Sequence, residues 1–311
     1  MPEDFVQIAA HFFNSFPAGG KTEFENFFAG CKFLLRGDIE KNVYDILENF
    51  APDKKPKHTP SFGAKLIADD KKLMYQYFER HNFPFAKSIF FNFSSINKAE
   101  NNADNAQNVL NIAGTGNAPN AAQTEELFSR IAQKLNTPFV AKPRFGSQGR
   151  GIQLIESNKD FAAFIAQNQN EELIFQQYIK CGKGFSFDLR FFVCGGKVSA
   201  CAMRKSRHQL LSNFHAGGQM EIIKSAQDLQ NHDIFGVTSR AFARMQQTAV
   251  SAVQNAGLLY GSADFLILQD SQPAQFFLCE INASPGFEGI ENASSGKIQI
   301  VPQLIDAILH L

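Results

Sequence analysis

The sequence predicts an α+β fold in which antiparallel strand pairs are interspersed with helices. Two hairpins carry that prediction. Phe187 to Cys194 and Val198 to Arg204 are strand-like runs joined at Gly195-Gly196, a two-residue turn signal. Ser262 to Leu268 and the run ending Phe277-Leu278-Cys279-Glu280-Ile281-Asn282 flank Gln269-Asp270-Ser271-Gln272-Pro273-Ala274, which is turn chemistry. The third observation is a set of helix-period segments between strands. The longest runs from about Ser239 to Ala256 and is closed by Gly257.

The remaining elements follow in chain order. Val6 to Phe16 and Asp38 to Phe50 read as helices, the second with Val43, Ile46 and Leu47 at helical spacing. Pro52, Pro56 and Pro60 with Lys54, Lys55 and Lys57 read as a linker, and no opening β-strand with a glycine turn is evident before it. A helix starts at about Asp70, capped by Asp69 or Asp70, with Leu73, Met74, Tyr77 and Phe78 on its apolar face. Ala86 to Phe91 is a strand. Residues 92–123, rich in Asn, Ala and Gly, read as an exposed loop or insertion. Thr124 starts a helix. Phe139 to Lys142, Ile152 to Ile155 and Leu173 to Ile179 are strands, with a helix over Asn158 to Gln167. Pro302 lies in the first turn of a terminal helix.

Composition bounds the function. The 311 residues suffice for two or three domains with shared cores, and 44% are hydrophobic. Thirty basic residues balance thirty acidic ones, which argues against direct nucleic-acid binding. Met1-Pro2-Glu3-Asp4 carries acid where a secretory signal carries base, and no apolar run nears the ~20 residues that span a bilayer. A cytoplasmic protein without a membrane partner is expected. Five scattered cysteines (Cys31, Cys181, Cys194, Cys201, Cys279) without a Cys-x-x-Cys fit reduced thiols, not a disulfide frame or a zinc site.

Two motifs carry chemistry. Folding the last hairpin about Gln272 sets Asp264 opposite Glu280, with Asn282 two residues on and therefore on the same face as Glu280. Two carboxylates and an amide oxygen then form a hard oxygen site suited to magnesium, since adjacent carboxylates repel without a cation. A surface cross-strand pair is the bland alternative, disfavoured because both acids sit among apolar residues. The second motif is Lys142-Pro143-Arg144-Phe145-Gly146-Ser147-Gln148-Gly149-Arg150-Gly151 between two strands. Glycines let backbone N–H groups approach phosphate, and Lys142 adds a point charge. No Gly-Lys-Ser/Thr ends it and no helix follows at once, so it is neither a Walker loop nor a Rossmann fingerprint. Alone it is as readily a structural hairpin.

Taken together, these residues resemble the ATP-grasp superfamily and, within it, the RimK-like glutamate ligases. The resemblance spans about residue 58 to residue 311. It rests on Asp70-Lys71, Lys142 with 146–151, Gln176-Gln177-Tyr178-Ile179, Asp188-Leu189-Arg190, Ser212 through Gly218, and Glu280 through Glu291. It implies an ATP-grasp fold, two α+β lobes gripping ATP. Residues 1–60 would be a short region preceding it and 61–311 the ATP-grasp domain. Within the latter, 61–137 would be a linking helical part, 138–180 the ATP-binding lobe and 181–311 the catalytic lobe. It implies Lys71 and Lys142 on the phosphates, covered by the loop holding Gly146, Ser147, Gln148, Gly149 and Gly151. Adenine would lie near Gln177, Tyr178 and Ile179, with Gln177 standing where the family often has Glu. Asp188 would sit on the sugar side and Asn213 near the phosphates. Asp264, Glu280 and Asn282 would hold two Mg²⁺ ions, with Mn²⁺ as a substitute. Arg190 and Arg204 would face the reacting groups.

The implied reaction is ATP-dependent amide formation, with L-glutamate joined to a carboxylate on a protein C-terminus, peptide or cofactor tail. A carboxylate activated as acyl phosphate has phosphate as its leaving group, and an arginine can stabilise the ensuing oxyanion. His215, in a glycine-rich turn, reads as a structural or substrate contact. Alternatives are a D-alanine–D-alanine type ligase, a peptide-maturation ligase, or a non-catalytic nucleotide-binding module. The complete acidic set argues against the last of these. A homo-oligomer is compatible with the sequence.

Overall fold

A computed structural model describes residues 5–8, 32–35, 41–48, 57–93, 109–113, 119–146, 149–181, 186–206, 219–268, 271 and 273–310. Among them the strands form three sheets. Strands β1 (Phe5–Ile8), β2 (Lys32–Leu35) and β3 (Lys57–Thr59) make a small parallel sheet in that order. It corrects three expectations: Phe5–Ile8 is strand where a helix was expected from Val6, a strand does open the N-terminal region, and the Pro/Lys linker holds a strand. Short apolar runs fit either period, and a neighbouring strand decides between them. The second expected helix is α1 (Lys41–Glu48).

Helix α2 (Phe62–Asp69), unforeseen, is capped by the Ser61 hydroxyl and leads into α3 (Lys71–Arg80). Asp70 joins the two, its carboxylate accepting from the amides of Lys72 and Leu73 at 2.9 and 3.4 Å. This N-cap fixes the backbone next to Lys71.

The second sheet has the order β5 (Val109–Ala113), β4 (Ser88–Asn92), β8 (Leu173–Gln177), β6 (Phe139–Pro143) and β7 (Gln153–Ile155). Strand β5 corrects the reading of 92–123 as a loop throughout. Its Val-Leu-Asn-Ile-Ala run is short, and only the parallel partner β4 makes it a strand. One face packs Ile89, Phe139, Ala141 and Phe175 against α4 (Ala121–Leu135) and α5 (Asn158–Gln167), through Leu127, Ile131 and Phe161. Period-2 alternation along β6 therefore sends Lys142 to the opposite face.

The third sheet is antiparallel, in the order β11 (Gln219–Ile222), β10 (Lys197–Ser206), β9 (Ser186–Cys194), β12 (Tyr260–Leu268) and β13 (Gln275–Asn282). Gly195 and Gly196 have φ of 55° and 77°, the backbone their tight turn requires. Leu189, Phe191, Met203 and Phe265 on one face share a core with α2, α3, α6 (Ala226–Gln230) and α7 (Ser239–Asn255). On the other face Phe192, Cys194, Ala202 and Tyr260 pack with α8 (Glu288–Ala293) and α9 (Ile300–Leu309). That second face is apolar at one end only. Continuing along β9 at the same parity, Phe192 gives way to Arg190 and Asp188.

Candidate active site

The charged end of the third sheet holds five side chains in one connected ladder. Strand register sets Arg204 beside Asp188, and Asp264 beside both Arg190 and Glu280. Arg204 grips Asp188 with both fork nitrogens at 2.6 and 2.7 Å, and its Nη2 also reaches Asp264 Oδ2 at 2.6 Å. Arg190 grips Asp264 at 2.7 and 2.6 Å and lies 3.5 Å from Glu280 Oε1. Asp264 is 2% exposed, whereas the Glu280 side chain is 39% exposed. The ladder thus opens to its surroundings at Glu280.

The two paired carboxylates are held apart in acidity. Burial raises the pKa of Asp264, but the charges of Arg190 and Arg204 outweigh it, so Asp264 stays ionised well below the usual range. Partial burial and the adjacent Asp264 charge push Glu280 the other way, above its ordinary value.

A bulge aims Glu280. Asp264 pairs with Glu280 but Phe265 pairs with Leu278, so Cys279 is one extra residue in β13. Leu278 keeps its place in the core while Glu280 turns to the charged face. A plain hairpin predicts the Asp264–Glu280 pair but not this device. Asn282 lies next along, its Nδ2 donating to Ser262 Oγ at 3.3 Å and to Glu280 Oε1 at 3.4 Å.

Two lysines approach from other elements. Lys142 is buried on β6, and its ammonium donates to the Tyr75 hydroxyl at 2.8 Å and to Gln176 Oε1 at 2.9 Å. Burial pulls its pKa down, but Tyr75, Cys279 and Glu280 together outweigh burial, so the net shift is upward. Lys71, at the start of α3, donates to the carbonyls of Arg144 and Gly146 at 3.2 and 2.6 Å. Burial, then the Lys142 charge, lowers it to about 8. Glu280 acts electrostatically on both lysines. A contact from the Ile281 amide to Met74 Sδ at 3.4 Å seats α3 on β13 beside it.

Lys71 thereby meets the start of the glycine loop. Gly146, Gly149 and Gly151 have φ of 117°, 74° and 73°, which other residues adopt only with strain. A Cβ on Gly151 would also come within 2.9 Å of the Pro143 ring. Gln177 ends β8, where its amide donates to Lys87 O at 2.8 Å. Tyr178 is half-buried and Ile179 buried just beyond it. Ser147, Gln148, Asn213 and His215 lie outside the described residues. The structure therefore gathers Lys71, Lys142, Asp188, Arg190, Arg204, Asp264, Glu280 and Asn282, with Gly146 joined to them through Lys71. Asp188 meets Arg204 there, which the resemblance did not foresee. Sequence reasoning also missed the shell: Tyr75 carries no signal of its own, and Gln176 and Arg144 stand out only as parts of motifs.

The donor set suits a hard divalent cation. Asp264 and Glu280 supply carboxylate oxygens from facing strands and Asn282 an amide oxygen, with no soft ligand required. Among the described residues, no cluster of three or more His, Cys, Asp or Glu side chains is placed to hold a metal ion.

The RimK-like ATP-grasp domain matches residues 96–308. The chain belongs to this family. A relative in Thioalkalivibrio sulfidiphilus, described as "Probable alpha-L-glutamate ligase", is 30% identical over 242 residues, covering 76% of this chain and 70% of the relative. Relatives of the same description in Shewanella halifaxensis and Parasynechococcus marenigrum are 31% and 32% identical over 65% and 60% of this chain. These matches cover only 39% and 35% of those two longer proteins.

Solved structures agree on the fold. The D-alanine–D-alanine ligase of Bacillus anthracis complexed with ATP superposes with a TM-score of 0.57 at 14% identity, covering 94% of this chain and 81% of that one. The ATP-grasp ligase PsnB, complexed with minimal precursor, Mg and ADP, gives 0.55 at 16% identity over 91% and 78%. The expected α+β ATP-grasp fold is thus found, in a family of ATP-dependent ligases. No helix among the described residues is long and apolar enough to cross a membrane.

Proposed function

We propose that this RimK-like chain joins L-glutamate to a carboxylate on a protein C-terminus, peptide or cofactor tail, using ATP and passing through an acyl phosphate. The observation that carries the reading is the carboxylate–arginine ladder, open at Glu280, with the buried Lys142 and the loop-bound Lys71 within electrostatic reach of that carboxylate. Cations that have no carboxylate partner among the described residues, beside a cluster of carboxylates, suit a triphosphate with its metal. The curated relatives' shared description supports glutamate as the amino acid.

In this reading Lys71 and Lys142 bring positive charge to the phosphates, and the amides of 146–151, including Ser147 and Gln148, cover them. Adenine lies by Gln177, Tyr178 and Ile179, and Asn213 adds a phosphate contact. Asp264, Glu280 and Asn282 hold magnesium, which when bound neutralises phosphate charge during transfer. Arg190 and Arg204 orient the reacting carboxylate and stabilise the oxyanion formed when the amine attacks, with Asp188 fixing the Arg204 fork. Residues 138–180 then act as the nucleotide lobe and 181–311 as the catalytic lobe, with 1–60 and the segment around β5 shaping acceptor choice.

The test is ADP release screened over amino acids and carboxylate acceptors, with the product mass measured. Glutamate-dependent release and a product heavier by one glutamyl residue are expected. A folded Glu280→Gln protein should be nearly silent. Equal release by that variant overturns the role of the ladder, and release driven by another amino acid overturns glutamate.

A further inference from the structure

We infer that Arg144 is a positioning residue that clamps the glycine loop to the helix bearing Lys71. The inference rests on the reading of residues 146–151 as a phosphate cover and extends it to how that cover is held. Arg144 is the first residue after β6, where the loop leaves the sheet. Its amide donates to Glu172 O at 2.7 Å. Its guanidinium divides between two acids from different elements. Nε meets Asp70 Oδ1 at 2.8 Å, Nη2 meets Asp70 Oδ2, and Nη1 meets Glu172 Oε2. Glu172 is itself steadied through Oε1, which accepts from Asn92 Nδ2 at 2.8 Å.

The circuit closes through the neighbouring lysine. Asp70 caps α3, and the next residue, Lys71, donates its ammonium to the carbonyl of Arg144 and to that of Gly146 two residues on. Asp70 and Lys71 thus hold the loop from two sides, one by the Arg144 side chain and one by its backbone. Phe145, the next residue, is 55% exposed with its ring centroid 4.9 Å from the Arg144 guanidinium carbon, and Gly146 has open space where a Cβ would lie. A planar fork meeting two carboxylates at once is work for arginine and not for lysine. Lys71 reaches the loop carbonyls only while this geometry holds, so the clamp sets both the resting place of the loop and that of the lysine.

The cap and the clamp can be separated. Asp70→Asn keeps a side-chain oxygen for the Lys72 and Leu73 amides, since asparagine caps about as well as aspartate, but loses the charge that holds Arg144. The experiment measures amide hydrogen exchange of the 144–151 segment without ligand, together with ATP affinity and steady-state kinetics. D70N and R144K should each speed loop exchange about tenfold and weaken ATP to a similar degree. KM for ATP should rise while kcat changes little, and the double variant should be no worse than either single one. Ser61→Ala, which uncaps the adjacent α2, should lower stability and leave loop exchange as it was. Unchanged exchange in D70N and R144K overturns the clamp, as do effects that add in the double variant. If the intact protein binds no nucleotide, the proposed function falls while loop exchange still decides the clamp.

Discussion

Two buried cations, Lys142 in the second sheet and Arg204 in the third, are equally removed from water at 6% exposure, yet they are held in opposite ways. Lys142 is solvated by neutral dipoles, the Tyr75 hydroxyl and the Gln176 carbonyl. Arg204 is clasped by two carboxylates, Asp188 and Asp264. Neutral dipoles stabilise an ammonium without cancelling its charge, so Lys142 retains a field for an anion arriving from outside. The carboxylates cancel the charge of Arg204, whose first task is to keep two acids together. One sheet presents charge and the other stores it.

The largest expected effect breaks the comparison on stability. Arg204→Met takes from Asp188 and Asp264 the cation they share, with Arg190 still on Asp264, and should cost about 3–5 kcal/mol, the usual penalty for removing one partner of a buried pair. Lys142→Met removes an ammonium and leaves only a hydroxyl and an amide to find new partners, a cost of about 1–3 kcal/mol. Its stronger signature should be lost ATP affinity, by more than about tenfold. Urea denaturation of both proteins, with nucleotide titration, makes the test. If Lys142→Met is as destabilising as Arg204→Met, the two shells do not differ as described.

A smaller effect sharpens the picture at Lys71, which stands between the two regions. Its pKa is lowered to about 8 from 10.5, by burial first and then by the Lys142 charge. Below pH 8 the folded and unfolded chains both carry the ammonium, and the folded chain bears its full penalty. Between about 8 and 10.5 the unfolded chain alone keeps the proton, so this group's contribution to stability rises with pH there. Binding runs the opposite way, because phosphate needs the ammonium. ATP affinity should fall as pH rises through about 8, and binding at that pH should take up a proton. Calorimetry in buffers of different ionisation heat detects the uptake, and Lys71→Arg should abolish it. Affinity that stays flat across this range would remove Lys71 from the phosphate site.

The difference between the two shells also explains what the sequence could reveal. The acidic pair Asp264 and Glu280 lies within one hairpin, so period-2 spacing and a turn are enough to set the two acids face to face. The bulge at Cys279 left no signal, because any residue of the strand could have been the extra one. The neutral shell was hidden for another reason. Tyr75 lies 67 residues from Lys142 and falls outside the apolar face that the sequence predicts for α3. Its hydroxyl acquires a role only when α3 docks. The same dependence on tertiary partners hid β1 and β5, whose short apolar runs become strands through parallel neighbours distant in sequence. Helices with caps and a full apolar stripe, such as α5 and α7, needed no such partner and were legible almost to the residue.

The smallest effect probes the far end of the neutral shell. Gln176 can serve Lys142 only if its carbonyl, and not its NH₂ group, faces the ammonium. Ser88 fixes that choice. Its hydroxyl donates to Ala86 O at 2.9 Å, which leaves its oxygen to accept from Gln176 Nε2, also at 2.9 Å. Ser88 is fully buried, so no water competes for these bonds. Removing the hydroxyl leaves the amide without a partner on its donor side and frees it to turn over, which would point N–H groups at Lys142. Ser88→Ala should therefore cost about 1 kcal/mol of stability. It should also weaken ATP binding by a few-fold, although Ser88 reaches Lys142 only through Gln176. Ser88→Cys, with a weaker donor and acceptor, should fall between the two. The measurement is denaturation beside nucleotide affinity for the three proteins. A loss of stability with unchanged affinity would mean that Gln176 keeps its orientation unaided, and that the shell around Lys142 ends at its first neighbours.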